Sequence, residues 1–165
     1  MFTVAGWFKR IGSWKGKGTW GLGSRGNAVN SYQNFAPDRV GFDEWGSTTY
    51  YTSETVPLDT WTHIAWVKKD TGQFKSNILE IYINGTLATL NNYRDGNVTA
   101  NVGNGFSIGK IAYDRTDLDA PSVIDDFRVY TTALTGSQVK ELYYQRASID
   151  NQGNYHTTNL AQNPR

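Results

Sequence analysis

The stretch VIDDFRVY, residues 123–130, sets two adjacent carboxylates inside an apolar run. Strand alternation places Val123, Asp125, Phe127 and Val129 on one face, and Ile124, Asp126, Arg128 and Tyr130 on the other. The first set reads as core-facing, so Asp125 points with the hydrophobes. A charge there needs a metal or strong backbone hydrogen bonds to offset its desolvation. Asp126 has Arg128 two positions on and is accounted for by pairing. Just upstream, Asp114, Asp117 and Asp119 fall within six residues. Carboxylates among backbone carbonyls form the hard-oxygen set that calcium prefers, although such a loop is more often simply solvated. The segment lacks the glycine and terminal glutamate of a helix-loop-helix calcium site.

Aromatic side chains are the second chemical resource. Trp14, Trp20, Trp45, Tyr50, Tyr51 and Tyr113 are candidates for stacking against sugar rings, because a flat apolar face loses little side-chain entropy on contact. The expected ligand-binding set is Trp45, Asp43, Glu44, Tyr50, Tyr113 and Trp14, with Trp45 beside a glycine turn and two acids for hydroxyl contacts. Each of these aromatics could instead pack a core or a partner. Trp7, Trp61 and Trp66 sit in the strongest strand patterns and are expected to be structural, as is His63 in WTHIAW. No Glu-x-Asp-x-Glu pattern occurs, and GFDEWG places Asp43 and Glu44 on opposite faces, so paired-carboxylate glycoside hydrolysis is not expected. Ser-His-Asp spacing and a phosphate-cradling glycine loop are also missing.

The elements that must position these groups are short strands. FTVAGWFKR alternates; DTWTHIAWVKK is apolar on both faces, as in a sheet covered on both sides. In NILEIYINGTLATL, Asn84-Gly85 between alternating runs predicts a two-residue hairpin turn with positive φ at both positions. LTGSQVKELYYQ carries a Thr135–Gln138 capping-box pattern with Val139, Leu142 and Tyr143 at helical spacing. The pattern is all-β: a two-sheet antiparallel jelly-roll sandwich with one short C-terminal helix, over residues 1–146. Residues 147–165 are polar and Asn-rich, read as an extension or linker with room for a small hairpin around Asn151 to Gly153.

At 165 residues, 38% apolar and 19% charged, the chain fits one domain. A net charge of +1 gives no electrostatic argument for nucleic acid or an anionic membrane. No run approaches the ~18 apolar residues of a membrane span. With no cysteine there is no disulfide, thiolate metal site or thiol nucleophile. The opening MFTVAGW is already strand-like and lacks the features of a secretion signal.

FTVAGWFK, DTWTHIAWVKK, LEIYINGTLA, FSIGKIA and VIDDFRVYTTALTGSQVKEL follow one another in an order that resembles laminin-G-like, concanavalin-A-like jelly rolls over about residues 2–144. The resemblance implies curved antiparallel sheets and non-catalytic binding of glycans or proteins. It also implies a structural calcium with a ligand at Asp125, the alternative there being backbone N–H donors. The family's usual opening strand, with an F-D-G-x-x-D pattern, has no counterpart, which implies that a removed upstream segment or a neighbouring chain completes the sheet. The tail is similar to joining segments of phage tail and fibre proteins. These resemblances imply a carbohydrate-recognition or adhesion module, or a structural domain of a virion or fibre, placed extracellularly or on a virion surface. Its partners would be a glycan, a cell-surface or virion protein, or a second copy.

Overall fold

The computed structural model describes residues 1–23, 28–33, 36–44, 48–69, 78–94, 105–112, 118–149 and 155–159. Eleven strands form two antiparallel sheets among these residues. The five-stranded sheet has the order β11 (Ser122–Tyr130), β1 (Phe2–Arg10), β6 (Trp61–Lys68), β7 (Leu79–Ile83) and β8 (Thr86–Leu87). The six-stranded sheet has the order β10 (Phe106–Ile108), β2 (Lys17–Leu22), β3 (Val29–Gln33), β4 (Arg39–Glu44), β5 (Thr48–Thr55) and β9 (Leu90–Arg94). Between them lies the main core, in which Phe2, Val4 and Phe8 of β1 meet Trp20, Phe42 and Tyr50 of the opposite sheet. Trp20 and Trp66 meet edge to face with centroids 5.4 Å apart, a geometry that aligns ring edge with ring face.

The other face of the five-stranded sheet is covered by α1 (Gly136–Tyr144). Val139 of the helix packs with Ala5, Ala65, Val67 and Tyr82, which explains why β6 reads as apolar on both sides. Thr135 accepts from the Gln138 N–H while the Gln138 side chain accepts from the Thr135 N–H, the reciprocal cap expected from the sequence. The turn at Asn84 (φ 50°) and Gly85 (φ 74°) has the expected left-handed pair. Beyond the helix, β12 (Gln145–Ile149) pairs antiparallel with β13 (Tyr155–Asn159); the turn expected around Asn151 to Gly153 lies outside the described residues.

The expected orientation of Asp125 is corrected by a β-bulge. Ala5 pairs with Arg128 and Trp7 with Asp125, so Gly6 alone faces both Asp126 and Phe127. Asp126 takes φ 48°, the left-handed conformation that starts such a bulge. The inserted residue flips the alternation. Ile124 and Phe127 therefore pack against the core, while Asp125 is exposed and Val123 is 42% exposed. A Cβ on Gly6 would lie 3.3 Å from Phe127 Cα, so the glycine gives the bulge its close approach. Asp126 and Arg128 form the expected pair as a two-pronged fork, with both contacts at 2.8 Å.

Candidate functional site

The outward face of the six-stranded sheet gathers polar groups around one tyrosine. Val40, Phe42 and Glu44 of β4 are buried, so alternation turns the half-buried Asp43 outward. Asp43 pairs with Thr49, whose Oγ1 donates to Asp43 Oδ1 at 2.8 Å. One row along, the half-buried Tyr51 stands between Gly41 on β4 and Asn91 on β9. Gly41 contributes no side chain at this point of the row, and its backbone is buried. Asn91 Nδ2 donates to Ser53 Oγ at 2.8 Å, fixing the amide beside the ring. At the end of the row, the Thr89 N–H reaches both oxygens of Glu54, at 3.0 and 2.9 Å. Burial pushes the Glu54 carboxyl up, but that N–H and the Arg39 charge outweigh it and hold it below its ordinary value.

Several expected ligand contacts are instead core. Tyr50 is fully buried between the sheets, and Trp20 with it. Trp14 is 3% exposed, its ring edge-on to Phe8 and its Nε1 donating to Ser122 Oγ at 2.9 Å. Glu44 is buried on the inner face opposite Val29. These assignments are corrected because adjacent residues in a strand face opposite ways, and register puts Tyr51 and Asp43 outside. Trp45, Tyr113, Asp114 and Asp117 lie outside the described residues. Thr49, Ser53 and Asn91 carried no motif of their own; only the pairing of three strands brings them together. Trp61, expected to be structural, is half-buried with the Lys9 ammonium 5.7 Å from its ring centre.

Asp125 Oδ1 accepts from the Asp126 N–H at 2.8 Å on the exposed edge strand, so the desolvation that called for a cation is not present there. Asp119 is half-buried, and its Oδ1 is shielded from solvent without a hydrogen-bond partner. Among the described residues no group of three or more His, Asp or Glu side chains could hold a metal ion. His63 lies under the helix beside Trp7 and Tyr143, and burial pushes its pKa down to about 4. A neutral, enclosed ring of this kind is poorly placed for acid–base work near neutral pH.

The sequence pattern of the concanavalin A-like lectin/glucanases superfamily matches residues 1–140. Among curated proteins, none matches this chain. Similar solved structures include domain 4 of AbnA, a GH43 extracellular arabinanase from Geobacillus stearothermophilus, in complex with arabinotriose. That likeness has a TM-score of 0.61 and 22% identity, over 86% of this chain and 66% of that one. A Bacteroides ovatus protein to which carbohydrate binding is ascribed has a TM-score of 0.62 and 19% identity, over 94% of this chain and 44% of that one. The native heptameric SAP-like pentraxin of Limulus polyphemus gives 0.51 and 12%, over 96% and 79%. At these identities the likeness is one of fold. The chain spans 66% of the arabinanase domain and 44% of the Bacteroides protein.

Proposed function

We propose that this chain, which belongs to the concanavalin A-like lectin/glucanases superfamily, is a non-catalytic carbohydrate-binding module of a secreted or surface protein. The observation that carries the reading is the outward row Gly41–Tyr51–Asn91 with the Asp43–Thr49 pair beside it. Sugar C–H faces pack on a half-exposed aromatic ring, while the carboxylate, amide and hydroxyls accept and donate to ring hydroxyls. Rigid strands hold these groups, so little is lost in ordering them. Asp43 and Glu44 face opposite sides of the sheet, which supports binding without bond cleavage. Single-site affinity on such a shallow face is modest and gains from repeated modules or copies.

The arabinanase domain similar in fold was seen with arabinotriose, which makes arabinan oligosaccharides a first probe beside a glycan array. Tyr51→Ala should weaken binding by about ten-fold, near 1.4 kcal/mol, with the melting temperature unchanged. Trp45→Ala extends the test to the residue that follows β4 in sequence. Loss of binding with Trp45→Ala but not Tyr51→Ala would move the site away from the Tyr51 row. Silence on every glycan, with a symmetric oligomer in light scattering, would favour a structural domain of a virion or fibre instead. In this reading a calcium ion would be held by Asp119 together with Asp114 and Asp117, favoured by the unpartnered Asp119 oxygen. It would brace the segment before β11, and a melting point raised by calcium and lowered by a chelator would support it.

A further inference from the structure

One side of the sandwich leaves apolar groups in water. β11 is the edge of the five-stranded sheet and β10 the edge of the six-stranded one. Phe127 and Phe106 bring the two strands together, with ring centres 5.6 Å apart. Among the described residues no strand pairs with the free side of either. Cross-strand partners share a face, so Val129 beside Val4, Phe106 beside Leu22 and Ile108 beside Trp20 all aim at the layer between the sheets. Val4 and Trp20 are fully buried there, yet Val129, Phe106 and Ile108 are 50%, 40% and 52% exposed. Inward-facing apolar groups left in water mark a contact surface. β11 runs nine residues with neither Lys nor Pro, the residues that commonly blunt an edge.

The bulge makes this strand complementary to itself. Partners on β1 put Val123, Asp125, Arg128 and Tyr130 on the outer face, and Ile124 and Val129 on the inner one. We infer that β11 pairs with β11 of a second copy about a two-fold axis at Asp126 and Phe127, joining the two five-stranded sheets into one. Antiparallel pairing about that axis sets Val123 against Tyr130, Ile124 against Val129 and Asp125 against Arg128 in the second copy. Each pair then shares a face, as a ladder requires. Without the extra residue every one of these pairs would fall on opposite faces, and the register would fail. Two of the pairs are apolar, and the third sets opposite charges across the seam where like charges would repel. The Asp126 carboxylate at the axis is already held in the Arg128 fork. From the other layer, Phe106 and Ile108 of both copies come to the same seam. An isologous contact of this kind uses one patch twice and closes at two copies. It holds two Tyr51 rows in one particle, and it does not depend on glycan binding.

Sedimentation equilibrium on the full chain tests the inference. A dimer of twice the 18.5 kDa chain mass should grow with concentration. Val129→Lys sets a charge against Ile124 of the second copy and should raise the dissociation constant about ten-fold or more. Leu87→Lys, 53% exposed on the opposite edge strand β8, should leave it unchanged. The chain has no cysteine, so the register can be trapped. Val123→Cys combined with Tyr130→Cys should give a covalent dimer under a mild oxidant, and either single variant should not. Should Val129→Lys fail to fold, the cysteine pair decides alone. A monomer at every concentration up to about 1 mM overturns the self-paired edge. So does a dimer indifferent to Val129→Lys, or a covalent dimer from Val123→Cys alone. A monomer whose Val129→Lys variant loses glycan binding overturns it too, because the edge would then be a ligand contact.

Discussion

At His63 the imidazole lies 5.4 Å from Trp7 and 6.1 Å from Tyr143, and burial pushes its pKa down to about 4, with Asp126 raising it only in part. In the unfolded chain the same ring titrates near its ordinary 6.5. Above pH 6.5 both states are neutral and the burial is fully tolerated. As the pH falls from 6.5 towards 4 the unfolded state takes the proton first, so stability falls with it, by up to about 3 kcal/mol. Urea midpoints at pH 7 and pH 4.5 should show that slope, and His63→Leu should flatten it. An unchanged slope in the variant would mean that other groups carry the acid sensitivity. Asp125 is the opposite case. Its carboxylate is exposed, with one oxygen on the Asp126 N–H, so Asp125→Asn should change stability by less than about 0.5 kcal/mol, with calcium or without. A calcium-dependent melting shift that disappears in Asp125→Asn would restore the metal ligand expected from the sequence.

Between residues and the whole sandwich, the turn at Gly85 shows how an element depends on what packs over it. Gly85 has φ 74°, and a Cβ there would come within 3.2 Å of Tyr143 Cδ1 on the covering helix. Gly85→Ala should therefore cost roughly 1–2 kcal/mol, from backbone strain and from lifting the helix, read as a lower urea midpoint. A neutral result would show that α1 shifts freely over the sheet. This turn and the Thr135–Gln138 cap were legible in the sequence because each is decided by residues a few positions apart. The bulge in β11 was not. Alternation holds on either side of Asp126, and the extra residue is called for by Gly6, more than a hundred positions away. The same limit governs the site. Which of the adjacent Tyr50 and Tyr51 faces outward depends on pairing with β4 and β9, information that the stretch TTYYTSET does not contain.

For the molecule as a whole, the two sheets are not equivalent. The helix closes the outer face of the five-stranded sheet with Val139 over Ala5, Ala65 and Val67. On the six-stranded sheet, the N–H of Ala112 caps Asn30 at 2.8 Å on one side, and β4, β5 and β9 keep Asp43, Tyr51 and Asn91 half-exposed. In the proposed binding mode a ligand would meet one polar sheet face held by an aromatic core and backed by a second sheet that the helix covers on its far side. That asymmetry makes a spatial prediction independent of which sugar binds. In an amide-shift titration with an arabinan oligosaccharide, the shifts should cluster on β4, β5 and β9 and spare α1 and β6. Rigid strands transmit little of a surface contact through a close-packed core, so the two faces should respond separately. Shifts centred on the helix or on Trp7 and His63 would place recognition on the wrong side of the sandwich and remove the Tyr51 row as its basis.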